Sequence, residues 1–445
     1  MNSTQNTKVS PIQHAMVWFG AGVSIAEILT GTLLAPLGMK KGLIAILLGH
    51  LIGGILLYFT GLIGGRTGKS AMEAAAISFG SRGNALFALL NVIQLVGWTA
   101  IMVYDGALSA EGIFHADKRI WAVVIGILIL VWILLREREF KILSRISAAA
   151  LFILTIILSV LIFRENASTE ITEEALSFGA ALELSIAMPL SWFPLISDYT
   201  RDAAKPAASS LASALTYSLV SIWMFVIGLG AALFAGTGDI AEILVKAGLG
   251  SVGLVIIILS TVTTTFLDAF SAGVSSETFL GAIRGSSADE SNIGDSKPHP
   301  DSTGTEEINQ HLAQKRKTEK VAAAAATILG TILAILFPMD NITDFLYLIG
   351  SVFAPMVAVQ LADYYFFYRK NDHSATHGSE NGIEAKKAPG QHAINVAGLF
   401  IWLAGFILYR VLMRFDLPCG STIPDMGITM LLALAIRKLM NTFRS

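Results

Sequence analysis

The sequence predicts an all-α, polytopic membrane protein with twelve transmembrane helices. Three observations predict it. Only 14% of the 445 residues are charged, while 54% are hydrophobic; soluble domains carry about 25% charged residues. Mean hydropathy is +0.65. The apolar residues also gather into runs of about 20, the length a helix needs to cross the hydrocarbon core. This composition excludes a soluble enzyme, a nucleic-acid binder and a disordered chain. A net charge of −2 names no polyanionic partner. The single cysteine, Cys419, can form neither an internal disulfide nor a Cys-rich metal site.

Taken in order, residues 1–15 form a polar lead, expected as a cytoplasmic tail without a cleavable leader because it runs straight into a full-length span. Five spans start near Met16, Gly42, Leu86, Ile120 and Ile142 and fill residues 16–165. Five more start near Leu176, Leu211, Ser251, Val321 and Phe345 and fill residues 176–369. The last two start near Ala393 and Thr422, covering 392–439 before a tail at 440–445. Between spans eight and nine, residues 285–314 are rich in Ser, Asp, Glu, Gly and Pro and are expected as a disordered cytoplasmic loop. Its histidines, His299 and His311, have no Cys beside them and no carboxylate geometry in the sequence that points to a metal site. Residues 370–391 form a second polar linker. With the N-terminus inside, 23 of the 31 Lys and Arg fall in inside segments, so both termini are expected to be cytoplasmic in the cell (inner) membrane.

Two spans carry breaks. The first reads WFGAGVSIAEILTGTLLAPLG, with Gly20 and Gly22 near its middle and Ser24 and Glu27 following. The sixth reads ALELSIAMPLSWFPLISDYTR, where Pro189 and Pro194 each remove a helical N–H and free carbonyls one turn earlier. In lipid such gaps survive only where they line a protected cavity. Broken helices at matching positions of two five-span halves point to an inverted-repeat secondary transporter with its ligand and ion at mid-membrane.

Buried acids give a second signal, because a charge at the bilayer centre costs about 2.5–3.5 kcal/mol on insertion scales. Glu27, Asp105, Glu183 and Asp268 are therefore expected to face the protein interior and to be functional. Gln94, Trp98 and Asp105 share one stripe of span three, and Thr261, Thr264, Thr265, Asp268 and Ser271 share one of span eight. Trp98 is deep enough in its span to stack on a flat heteroaromatic ligand, and Trp192 on the sixth span offers a second ring.

At these residues the chain resembles the nucleobase–cation symporter family, the group of cytosine permease and the bacterial hydantoin transporter, from about Val17 to Arg369. The densest stretch is GLIGGRTGKSAMEAAAISFGSRGNALFALLNVIQLVGW, Gly61 to Trp98; SDYTR, Ser197 to Arg201, and TTTFLDAFSAG, Thr263 to Gly273, resemble the family's motifs on spans six and eight. Within the family the sequence looks most like permeases proposed for hydroxymethylpyrimidine, the thiamine precursor. The resemblance implies a leucine-transporter-like five-plus-five inverted repeat with broken helices 1 and 6 and two C-terminal helices. It places the stacking tryptophan on Trp98. It also places sodium on the carbonyls of Gly20, Val23 and Ser260 and the hydroxyls of Thr263 and Thr264, or of Thr264 and Thr265 if the register slips by one.

Departures from the family pattern concern the substrate. The span-three glutamine position is Leu95, beside Gln94. The second stacking tryptophan falls near Pro189, leaving that face empty or supplied by Trp192. The edge-reading asparagine falls near Ala269, beside Asp268. The expected substrate is thus a neutral aminopyrimidine stacked on Trp98, with Asp268 and Glu27 accepting from its amino group. A carboxylate accepts only, so it selects donors. Transport would be by cation symport with alternating access, and no prosthetic cofactor is expected. Sodium is the expected coupling ion, with a proton on Glu27 as the rival; a cytosine or purine/allantoin permease and a transporter-like receptor are the alternative functions. His50 has no nucleophile beside it in sequence, and no enzyme is expected.

Overall fold

The computed structural model describes residues 8–134, 176–235, 250–284, 302–368 and 393–443, with scattered positions in 146–160 and 242–248. The chain starts with helix α1 (Pro11–Gly22), whose N-terminus is closed by a capping box of Ser10 and Gln13 with Pro11 in the first turn. After Val23 and Ser24 it resumes as α2 (Ile25–Thr32), capped by the Ser24 side chain. Then follow α3 (Gly38–Thr67), the short α4 (Ala71–Phe79), α5 (Asn84–Phe114) and α6 (Lys118–Leu134). The second half comprises α7 (Phe178–Ser191), α8 (Phe193–Thr200), α9 (Pro206–Ala235), α10 (Gly250–Arg284), α11 (Ser302–Leu336) and α12 (Ile342–Asp363). Two further helices, α13 (Val396–Leu412) and α14 (Thr422–Thr442), complete the described chain.

Seven helical stretches have the length and apolarity to cross a bilayer, and the pair α1/α2, bent by 51°, makes an eighth. Of the other expected spans, the fourth and eleventh are the 17-residue α6 and α13, and the twelfth is the 21-residue α14. The fifth, near Ile142, lies largely outside the described residues, as does the linker at 370–391. Two boundaries differ from expectation. Helix α11 begins at Ser302, inside the segment read as disordered, and only 285–301 of that segment lies outside the described residues. Helix α14 runs to Thr442, three residues into the expected tail.

Apolar side chains that face outward recur at helical spacing. Ile44, Leu47, Leu51 and Ile55 line one face of α3, and Leu211, Leu215 and Leu219 one face of α9, all exposed. Such stripes suit acyl chains as solvent. Inside, close packing relies on small residues. A Cβ at Gly53 of α3 would run into the Pro189 ring of α7, and a Cβ at Gly31 of α2 into the backbone of Phe225 on α9. The central core gathers Trp18, Trp98, Trp192, Tyr217 and Phe353. Outside the helices, Val9 forms an isolated parallel bridge with Ala203: the Val9 N–H donates to the Asp202 carbonyl at 2.9 Å, and the Val9 carbonyl accepts from the Ala204 N–H at 2.9 Å.

Candidate functional site

The first break is local chemistry. Val23 leaves the helical region at φ −85°, ψ 84°, and Ser24 is extended at φ −137°, ψ 158°. Ser24 Oγ accepts from the Glu27 N–H at 3.3 Å, which restarts the helix. Carbonyls of α1 are thereby left without intrahelical partners. Two are taken by hydroxyls one turn apart on α10: Ser260 donates to the Val23 carbonyl at 2.6 Å and Thr264 to the Gly20 carbonyl at 3.3 Å. Thr263 turns to its own helix, donating to Ser260 O at 2.9 Å. Gly20, Val23, Ser260 and Thr264 therefore meet at one crossing, to which Thr263 adds no hydrogen bond between the two helices among the described residues, while Thr265 Oγ1 is buried without a hydrogen-bond partner among them. This crossing offers hard oxygen donors at the end of a helix, whose dipole favours cations there.

The second break is milder. Helices α7 and α8 are separated only by Trp192, at φ −89°, ψ −9°, and pass together as one span, Phe178–Thr200. Trp192 N–H still reaches the Pro189 carbonyl at 3.2 Å, so the backbone stays nearly helical where two prolines predicted an open gap.

Between the two breaks lies a cavity lined by Ala21, Ser24, Glu27, Trp98, Trp192 and Asp268, with Met102, Met188, Ser191 and Thr264 completing its wall. Its volume is about 20 Å³, close to what one water requires. A space of this size holds no planar ring, which enters only as side chains withdraw. Trp98 is braced edge-on by Phe345 at 5.3 Å, and Trp192 by Trp18 at 5.4 Å. Asp268 is buried, and no group among the described residues donates to it.

Glu27 is different. Tyr217 donates to its Oε1 at 2.7 Å, and Ser221 Oγ lies 2.6 Å from its Oε2. Ser221 Oγ is also 2.6 Å from His50 Nε2, and His50 Nδ1 is 2.9 Å from the Ile46 carbonyl. Both carboxyl oxygens are thus engaged with protein, while Glu27 also lines the cavity. Gln94 and Pro189 are outside the cavity wall. Gln94 instead donates to the Ser191 carbonyl at 3.0 Å, and Pro189 packs on α3 at Gly53.

The remaining expected acids lie elsewhere. Glu183 accepts from Tyr409 Oη, from the backbone N–H groups of Ser421 at 2.7 Å and Thr422 at 2.9 Å, and from Thr422 Oγ1 at 2.6 Å. It fastens α7 to the start of α14. A larger hollow of about 310 Å³ opens beside it, but this carboxylate is already held by its four donors. Asp105 is not in the cavity wall either.

At the end of the bundle where the chain begins, charges close the structure. Lys315 of α11 lies 3.1 Å from Glu73 of α4 and 3.3 Å from Glu277 of α10. Burial alone would raise the Glu73 carboxyl, but Lys315, the Ser70 N–H and Arg201 outweigh it and hold the group at about 2. Asp198 Oδ1 accepts from the Ala71 N–H at 2.8 Å, tying α8 to the start of α4.

A broken first helix crossing α10 beside a small aromatic-walled cavity is an arrangement that secondary transporters use. A family model described as "Permease for cytosine/purines, uracil, thiamine, allantoin" matches residues 3–113. The cytosine permease of Escherichia coli (strain K12) is 24% identical over 351 residues, 78% of this chain and 75% of that protein. Among solved structures, Mhp1, a nucleobase-cation-symport-1 family transporter in a closed conformation with bromovinylhydantoin bound, superposes with a TM-score of 0.72 at 16% identity, covering 98% of this chain and 93% of its own. A Na+-coupled sialic acid symporter in a substrate-bound outward-open state follows the same fold, with a TM-score of 0.65 at 16% identity over 96% of this chain and 88% of its own. The chain is similar in sequence to members of the nucleobase–cation symporter family and has the leucine-transporter-like fold. With these apolar spans it is a multi-pass membrane protein, similar to cytosine permease in sequence and to solved cation-coupled transporters in fold.

Tyr217, Ser221, Trp18, Met102, Met188 and Ser191 were not singled out from the sequence. Their types are ordinary in membrane helices, and only the packing of α1, α5, α7 and α9 around the first break brings them together.

Proposed function

We propose that the protein imports an aminopyrimidine, hydroxymethylpyrimidine being the best candidate, by symport with sodium. The observation that carries this is Asp268: a buried carboxylate without a donor among the described residues, facing a cavity walled by Trp98 and Trp192. A buried acceptor of this kind costs stability unless a ligand supplies the missing N–H groups. An exocyclic amino group does so while the ring stacks on Trp98; uracil and hydantoins, richer in carbonyls, do so less well. The cytosine-permease relatives favour the same substrate class.

Sodium would bind where the Gly20, Val23 and Ser260 carbonyls meet the Thr263 and Thr264 hydroxyls, and would hold the first break in the form that accepts substrate. Ion and substrate sites sharing one break stabilise one conformation together. The second reading is a proton-coupled cytosine or purine permease, favoured by the buried Glu27 network. The distribution of Lys and Arg supports an inner-membrane protein with both termini cytoplasmic.

The test is a binding titration of purified protein with hydroxymethylpyrimidine, cytosine, uracil and a hydantoin. Aminopyrimidines should bind at least tenfold more tightly; equal affinity for uracil would overturn the role given to Asp268. Uptake in choline-balanced, sodium-free medium should collapse, and undiminished uptake would remove sodium from the mechanism.

A further inference from the structure

The contacts of Glu27, Ser221 and His50 cannot all be made with the protons that a carboxylate, a hydroxyl and a neutral imidazole carry. A carbonyl only accepts, so the 2.9 Å contact from His50 Nδ1 to Ile46 O places the imidazole proton on Nδ1. Nε2 is then a bare acceptor, 2.6 Å from Ser221 Oγ. Ser221 has one proton, and the Glu27 oxygen on its other side is also 2.6 Å away. If the hydroxyl donates to His50, two oxygens without a proton face each other at Glu27. If it donates to Glu27, oxygen faces a bare nitrogen at His50. Moving the imidazole proton to Nε2 mends that contact but sets a bare Nδ1 against the Ile46 carbonyl. Every assignment leaves one short buried contact between lone pairs, which at these distances is repulsive.

One added proton resolves all of them. Either Glu27 is protonated and donates to Ser221, which donates to His50, or His50 is doubly protonated and donates to Ser221, which donates to Glu27. Both arrangements have zero net charge. We propose that Glu27, Ser221 and His50 form a one-proton binding site that joins the half-helix α2 to α9 and α3 beside the substrate cavity, so that proton binding favours the arrangement in which these three helices are locked together. Protonation adds one bond at Glu27 or His50 and breaks none in the chain; deprotonation returns that proton to water and leaves one contact repulsive.

The surroundings leave the proton as the natural compensating charge. Helix α3 presents His50, α9 presents Tyr217 and Ser221, and α10 presents Asp268 across the cavity, while α1, α5, α7 and α8 contribute no ionisable group to the cavity wall. No lysine or arginine is among the buried side chains of the described residues. The site is separate from the crossing of Gly20 and Val23 with α10, so it can operate beside the proposed cation site or in its place.

The experiment compares full-length wild type with Glu27→Gln, whose amide donates to Ser221 and accepts from Tyr217 as the protonated acid would. Thermal stability in detergent is followed between about pH 5 and about pH 9 without ligand. The folded state holds a proton that the unfolded chain gives up, so wild type should lose stability relative to Glu27→Gln as pH rises, by up to about tenfold in the unfolding equilibrium per pH unit. Ser221→Ala, which removes a donor from the ionised carboxylate, should carry that slope to higher pH; a slope unchanged by this variant would remove Ser221 from the proton site. A pH-independent gap between wild type and Glu27→Gln would overturn the proton site, because a purely structural role shifts both curves alike.

A second arm uses proteoliposomes and radiolabelled cytosine, and rests on the substrate class proposed above. An acid-outside gradient should accelerate uptake by wild type and not by Glu27→Gln; equal acceleration in both would overturn coupling through this site. If wild type takes up no cytosine, that substrate is removed while the ligand-free pH profiles still decide the proton site.

Discussion

Two carboxylates, Glu183 of α7 and Asp268 of α10, are equally buried, and their surroundings are opposite. Glu183 collects four donors from α13 and the N-terminus of α14. Asp268 collects none among the described residues and faces the cavity. A satisfied buried acid is a fastening, while an unsatisfied one awaits a partner from outside the chain. The cost of inserting a charge in lipid tells only that each must be sheltered.

The largest effect should come from breaking the fastening. Glu183→Ala leaves several donors buried and unpaired at the α7–α14 joint and should cost about 3–5 kcal/mol, the range for breaking a buried charged network. A large drop in Tm, restored in part by Glu183→Gln, would confirm it; a variant as stable as wild type would erase the contrast. Asp268→Asn should do the reverse. Stability should hold or rise, since an unpaired buried charge is relieved, while aminopyrimidine affinity falls by about 10- to 100-fold, the value of a charge-assisted hydrogen bond. Calorimetric titration checks the second half and a melting curve the first.

Trp98→Ala sharpens the picture from the other wall. Loss of stacking costs about 0.5–1.5 kcal/mol beyond area, so affinity should fall about tenfold or somewhat more for every planar ligand alike, leaving the preference set by Asp268 intact. The smallest effect concerns Glu73. Its carboxyl is held at about 2, below the value of about 4.3 for an unfolded glutamate. Its stabilising contribution is therefore complete above that unfolded value and disappears as pH falls through about 2. The difference in Tm between wild type and Glu73→Gln should stay constant from neutral to alkaline pH and shrink only on strong acidification.

The helical period made much of this legible. One stripe on span three and one on span eight brought Trp98 and Asp268 forward before any coordinates, and the Gly-Ser pattern of the first span marked the bend that exists. Periodicity identifies a face and not the helix it meets. His50 and Ser221 are 171 positions apart in sequence and still touch, so nothing local in the chain pairs them. Glu183 was set among the functional acids because its donors lie more than 200 residues onward. Pro189 was expected to open the sixth span, but Trp192 continues the turn and the proline ring finds room against Gly53 of α3. The start of α11 was missed because its first turns are polar, and composition alone assigned them to the loop.

The short backbone bridge at Val9 has a mechanical consequence. It staples the residues just before the first interrupted span to those just after the sixth. Both interrupted spans therefore share one yoke at that end of the bundle, and tilting either pulls on the other. Cutting the chain back past Val9 would leave every cavity-lining side chain in place while freeing the two to swing out of step.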